Sequence, residues 1–160
     1  MAFTAARTPA ISTPVRRFPL LIVLAPLLVC GCSRFESDWR TPALRNVPSG
    51  DPLEGRWKGN WKSTPSGHSG SLRCIMTRVD DDTYRARFNA SWALLLRFEY
   101  AVDMQVERRD GVAYFKGAAD LGKAMKSLGV YHYDGHADGR VFHSTYKSPK
   151  DQGYFQMKRP

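Results

Sequence analysis

The densest set of groups able to do chemistry lies between Tyr131 and Tyr146, where His132, Asp134, His136 and His143 fall within twelve residues. Imidazoles beside a carboxylate have the identity needed for zinc ligation, or for proton transfer near neutral pH. If Asp138-Gly139 forms a two-residue turn, Ala137 pairs with Arg140 and Asp134 faces His143. His132, Asp134, His136, His143 and Thr145 then share one face of a hairpin, because side chains alternate along a strand. The other face carries Tyr131, Tyr133, Phe142 and Tyr146. An aromatic face belongs against a core, so the histidines are expected outside, in water and without a cleft. His132 and His136, four residues apart on a strand, are separated by roughly 13 Å, too far to share a metal. His136, Asp134 and His143 remain as candidate metal ligands, but a solvated polar face is the reading adopted, with no cofactor.

Other chemistry is no better supported. There is no nucleophile elbow, phosphate-binding glycine loop, His-Glu-x-x-His or paired-cysteine zinc pattern. Gly67-His68-Ser69-Gly70-Ser71 reads as a polar turn, and Glu99, Asp103 and Glu107 share an outward parity without an enclosing site. Cys74 falls in an apolar alternation with Leu72 and Met76, the setting of a buried, inert thiol. No enzymatic activity is expected.

The elements that position these side chains are strands. Phe98 to Glu107 alternates apolar residues at even positions with mostly polar ones between, and Tyr84 to Phe88 does the same. Strands are expected near 55–62, 70–79, 83–90, 96–108, 112–120, 129–137, 140–147 and 153–159. The spacing is that of an all-β, eight-stranded antiparallel up-and-down meander able to close into a small barrel. The connections around Asp80-Asp81-Asp82, Arg109-Asp110-Gly111 and Asp138-Gly139 are short. Those at 63–69, 91–95, 121–128 and 148–152 are longer, and alternation gathers them at one end, where function usually sits. The inward set is Trp57, Trp61, Leu72, Met76, Tyr84, Phe88, Phe98, Tyr100, Met104, Val106, Tyr131, Tyr133, Phe142, Tyr146, Phe155 and Met157. Gly59, Ala86, Ala90, Gly117, Gly135, Ala137 and Ser144 could leave space among them, so a packed and a hollow interior both stay open.

The 160 residues carry a second signal at their start. Residues 1–17 hold Arg7, Arg16 and Arg17 and no acid, and Phe18 to Val29 is an apolar run of twelve, too short to span a bilayer. It ends in Val29-Cys30-Gly31-Cys32, which resembles the lipobox of bacterial lipoprotein precursors: aliphatic, tolerant, small, then the modified cysteine. The resemblance implies a signal peptide over 1–31 and acylation of Cys32, which would anchor the exported protein in the membrane of the cell envelope. Ser33 stands where inner-membrane members typically carry aspartate, which points to the outer membrane, facing the periplasm. Residues 32–52, with Pro42, Pro48, Gly50 and Pro52 and no sustained periodicity, read as a flexible linker with a reach of roughly 25 Å. The barrel domain is then 53–160.

Gly55-x-Trp57 opens the first strand and Arg159 closes the last, a pattern that weakly resembles the calycins (lipocalin- and avidin-like barrels). In lipocalins an arginine of the final strand packs across that tryptophan, so the resemblance implies that Trp57 and Arg159 meet and close the barrel floor.

The domain 53–160 has eighteen basic and twelve acidic residues, a charge of +6. An exported domain meets anionic lipid heads or acidic glycans more readily than nucleic acid, and no nucleic-acid partner is expected. Arg85, Arg87 and Arg97 are expected outside, and Lys123 and Lys126 in the fifth connection. Apolar residues of the long loops could cap the barrel or touch a ligand. The expected partners, besides the membrane, are a small apolar or amphipathic ligand held by Trp92, Leu95, Met125, Tyr131, Tyr133, Phe142 and Tyr146, or an anionic envelope component. A filled barrel serving as a structural or interaction module is the alternative, and a metal-dependent enzyme at the histidine hairpin is the third.

Overall fold

The structure, a computed structural model, describes residues 34–41, 51–93, 96–123 and 129–160. The eight expected strands form: β1 (Gly55–Ser63), β2 (Ser69–Arg78), β3 (Thr83–Trp92), β4 (Leu96–Arg109), β5 (Val112–Asp120), β6 (Val130–Ala137), β7 (Val141–Lys147) and β8 (Gln152–Lys158). Each pairs with its sequence neighbour in antiparallel fashion, and β1 pairs with β8, so the meander is a closed barrel. The long β4 supplies the stagger that closure requires: Leu96–Gln105 pair with β3, while Met104–Arg109 pair with β5.

Alternation decides the interior. Every residue of the expected inward set is buried, except Trp61, Phe98 and Tyr100, which are half-buried and packed against the core. The small inward positions leave little room. A Cβ on Gly135 would sit 2.3 Å from the His143 carbonyl oxygen and 2.7 Å from the Phe115 ring. One on Gly117 would meet the Met104 sulfur at 2.7 Å, and one on Gly59 would meet the Gln156 carbonyl oxygen at 1.9 Å. These glycines are occupied by their neighbours, so most of the space they were expected to leave is already filled.

The two Asp-Gly turns differ. Asp110 and Gly111 both take positive φ, 52° and 78°, and join Arg109 to Val112 as a two-residue hairpin. At Asp138-Gly139 the two-residue turn expected from sequence does not form, because Ala137 pairs with Phe142 and not with Arg140. There the Asp138 carboxylate accepts from the amides of Arg140 and Val141, both at 2.8 Å, and holds a wider turn.

At the short-turn end Arg159 and Trp57 meet across the floor of the barrel. The Arg159 guanidinium lies 3.9 Å from the Trp57 ring centroid. It donates to the carbonyls of Glu54 at 2.6 Å, Pro52 at 3.2 Å and Gly139 at 3.2 Å. The Trp57 indole N–H donates to the Leu53 carbonyl at 2.8 Å, so no polar edge of the stack is wasted. Beside it, the Tyr84 hydroxyl donates to Asp51, and Arg108 donates to the same hydroxyl.

Residues 34–40, expected within a free linker, form a helix, α1 (Arg34–Arg40), that lies against the outer wall. Phe35 is buried, and it stacks on Trp39 with centroids 5.7 Å apart. Arg73 lies over both rings, and Arg56 lies over Trp39. Glu36 pairs with Arg73 and Arg97, and Asp38 pairs with Arg87 at 2.7 Å. Ile75, outward by parity, is buried on this wall.

Replacing Arg159 with Ala is expected to destabilise the barrel by about 2–4 kcal/mol, since it removes a stacked cation and charged hydrogen bonds to three carbonyls. Arg159→Lys should recover less than half, because an ammonium lacks the planar fork. Urea unfolding of the three proteins measures both values.

Candidate ligand-binding site

The barrel interior is divided. Toward the short-turn end, Trp57, Phe115 and Phe142 are packed together, with Phe142 5.5 Å from Trp57 and 4.7 Å from Phe115 between centroids. Toward the long-loop end a cavity of about 130 Å³ remains. Trp61 of β1, Leu72 of β2, Ala90 of β3, Phe98 and Tyr100 of β4 and Leu121 after β5 form part of its wall. Tyr131 and Tyr133 of β6, Tyr146 of β7, Asp151 just before β8 and Phe155 of β8 complete it. Seven of the eight strands deliver a side chain to this layer, and β3 delivers only a methyl, Ala90.

The aromatic rings form a connected belt. Centroid separations are 5.4 Å for Phe98–Tyr100, 6.3 Å for Tyr100–Tyr133, 5.9 Å for Tyr133–Phe155, 5.2 Å for Phe155–Tyr146 and 5.8 Å for Tyr146–Tyr131. The Trp61 indole N–H is satisfied by the Ser91 carbonyl at 3.0 Å. Burial pushes the phenols of Tyr100, Tyr133 and Tyr146 above the ordinary tyrosine range; for Tyr146 the neighbouring Asp151 carboxylate adds to the effect. They are neutral hydroxyls.

Asp151 is the one charged residue in the described wall. Its Oδ1 accepts from the Ser63 hydroxyl at 2.6 Å and the Gln152 amide at 2.9 Å, and its Oδ2 accepts from the Tyr146 hydroxyl at 3.2 Å. Its backbone is fixed by Ser148, whose amide donates to the Asp151 carbonyl at 2.7 Å. The Ser148 hydroxyl in turn accepts from the Asp151 amide at 3.0 Å.

Of the residues expected to hold a ligand, Tyr131, Tyr133 and Tyr146 line this cavity. Phe142 does not: it is the second residue of β7, next to the turn at the opposite end, and belongs to the floor. Trp92 is 43% exposed at the last residue of β3, with its ring 5.4 Å from that of His68, and is absent from the cavity wall. Leu95 and Met125 lie outside the described residues, as do Cys32 and Lys126. Asp151 was missed, although it is the one acid in the 148–152 connection at the long-loop end. Trp61, Leu72, Phe98, Tyr100 and Phe155 were legible as inward but not as neighbours of one cavity.

The histidine hairpin faces outward, but its pairing differs from the expected one. With the wider turn, His136 faces His143, and Asp134 faces Thr145. The two imidazole centroids are 5.8 Å apart, while Asp134 lies 3.3 Å from the Lys116 ammonium. Among the described residues, no group of three or more His, Cys, Asp or Glu side chains is placed to hold a metal ion. Cys74 is wholly buried, and burial pushes its thiol far above its ordinary range. The outward arginines are largely matched by the chain's own acids: Arg85 makes a two-pronged contact with Asp103 at 2.7 and 2.9 Å, and Arg73, Arg87 and Arg97 bind α1.

The crystal structure of Rv2717c from M. tuberculosis is similar in fold, with a TM-score of 0.48 and 9% sequence identity over 75% of this chain and 98% of that one. No family model matches the chain. No curated protein matches it in sequence.

The buried phenols set the alkaline limit of the fold. Below pH 10 Tyr84 is protonated whether folded or unfolded; burial and its bond to Asp51 push it up to about 12 in the folded state. The unfolded chain therefore releases this proton first, and stability falls as pH rises from 10 to 12. Tyr100, Tyr133 and Tyr146 act in the same direction. Unfolding titrations across this window, with tyrosinate absorbance followed in parallel, should show ionisation appearing together with unfolding.

Proposed function

We propose that this is a non-catalytic binding protein of the bacterial cell envelope, exported and lipid-anchored through Cys32, which holds a small amphipathic ligand in the tyrosine-walled cavity. The observation that carries the ligand reading is the division of the interior: a floor packed by Trp57, Phe115 and Phe142, and a space of about 130 Å³ at the long-loop end. That volume is close to the ~150 Å³ apolar cavity known to admit benzene in another protein. It is below the ~300 Å³ of common drug-sized pockets. The ligand, or the part of it that enters, is therefore about one ring in size. Hydroxyls and one carboxylate among apolar rings fit a molecule with one polar end. An anionic envelope component bound by the outer arginines is the weaker reading, because Arg73, Arg85, Arg87 and Arg97 already face Glu36, Asp38 and Asp103.

Titration of the purified protein with p-cresol, read by calorimetry, should give saturable binding at one site. Ala90→Phe places a ring in the cavity and should abolish that binding while the thermal transition stays cooperative. A protein that binds no single-ring amphiphile, with or without the substitution, is a filled module and not a carrier.

The anchor has its own test. Cells expressing the full chain and fed labelled palmitate should yield a labelled, membrane-associated product, and Cys32→Ser should remove both the label and the membrane association. Label retained in the Cys32→Ser protein would overturn the acylation site.

A further inference from the structure

We infer that the cavity selects a small organic cation, a quaternary or fully substituted ammonium head, seated against the aromatic belt and the Asp151 carboxylate. The inference rests on the ligand-binding reading above and names the chemical class that this site takes.

Three observations carry it. The first is the wall itself. Tyr100, Tyr131, Tyr133, Tyr146 and Phe155 ring one space, with neighbouring centroids 5.2–6.3 Å apart. Aromatic faces carry the negative part of a quadrupole, and several rings around one space attract a cation more strongly than a single exposed ring does. The second is the sign of the charge. In a chain of net charge +9, the cavity wall has no described lysine or arginine and one acid, Asp151. The larger open basin at the other pole differs, mixing Arg78, Arg108, Arg109 and Arg159 with Asp51, Asp110 and Asp138. A carboxylate-bearing guest would meet Asp151 without a compensating cation among these residues. A purely hydrocarbon guest would strip water from the carboxylate and offer it nothing.

The third is the state of Asp151. Its three donors, the Ser63 and Tyr146 hydroxyls and the Gln152 amide, are all neutral. Two carboxylate oxygens offer about four acceptor positions, so capacity remains. No ion pair to Asp151 occurs among the described residues, in contrast to Asp51, Asp103 and Asp134. The phenols beside it bring no charge of their own, and Asp151 is the one acid in the described wall. A trimethylammonium head has no N–H to donate and gains mainly from rings and diffuse charge, which is what this wall supplies. Its size suits a space of about 130 Å³.

The test uses choline and its uncharged carbon isostere, 3,3-dimethylbutanol, against the full-length protein in a non-ionic detergent. Calorimetry should give one saturable choline site, with affinity about tenfold or more above that of the isostere. Asp151→Asn keeps a side-chain acceptor for Ser63 and should reduce choline affinity toward that of the alcohol while leaving alcohol binding within about twofold. Melting curves identify a variant that fails to fold, and Tyr131→Leu, which removes a ring and no charge, then serves as the second variant, with choline affinity again expected to fall more than that of the alcohol. Equal affinities for choline and the alcohol in the parent protein would overturn the cation inference and leave the cavity as a general amphiphile site. Binding of neither compound, with p-cresol still bound, would also overturn it. Failure of all three compounds would overturn the ligand-binding reading as well.

Discussion

When Lys58 pairs with Lys158 and Ser63 with Gly153, the meander loses both of its edges at once. That single closure turns alternation along each strand into an inside and an outside, and it sets the connections after β1, β3, β5 and β7 at one pole. It also brings residues about a hundred positions apart into contact. Arg159 reaches Trp57 and the carbonyls of Pro52 and Glu54 only because the last strand returns beside the first. The arginine then serves as a plug: its face covers the indole, and its edges satisfy carbonyls that would otherwise end the barrel unpaired. Every distinction between a floor and a mouth follows from this arrangement.

Small residues are matched by large neighbours at both ends of the interior. Near the floor Phe115 occupies the space beside Gly135, and Met104 that beside Gly117. Near the mouth the Trp61 indole lies beside Gly70 and the Tyr146 ring beside Gly153, and the void that remains is bordered by Ala90 and the aromatic belt. The polar groups there are satisfied from the rim. Ser63 at the end of β1 and Ser148 in the connection before β8 each bond Asp151, which holds that residue at the cavity wall.

Much of this was readable from the residues. Period-two alternation located all eight strands, and parity identified the inward set, because a one-residue slip would have turned each aromatic row into water. The turns were harder. Asp110-Gly111 and Asp138-Gly139 are the same dipeptide, yet one uses backbone at positive φ and the other uses the aspartate side chain as an acceptor. The choice shifts which histidine meets which partner, and local sequence does not encode it. Helix α1 was illegible for a related reason. Seven residues are too few for periodicity, and an isolated helix of that length does not form in water, so its stability comes from the wall it covers. Ile75 carried a trace of it: an isoleucine at an outward position of β2 needs a cover. The cavity was hidden because its volume depends on which neighbours fill each glycine, a property of contacts distant in sequence.

The docked helix also changes the mechanics of any attachment made near the start of the domain. Between Cys32 and the first helical residue, Arg34, stands only Ser33, a span of at most about 7 Å. A load applied at position 32 would act on the barrel's flank through Glu36, Asp38 and the arginines of β2, β3 and β4. An anchor at that position would be joined to the barrel through the helix and not through a twenty-residue leash. These ion pairs act there beside the buried Phe35 ring and the arginines over Phe35 and Trp39, and ionic strength would tune the ionic part of that hold.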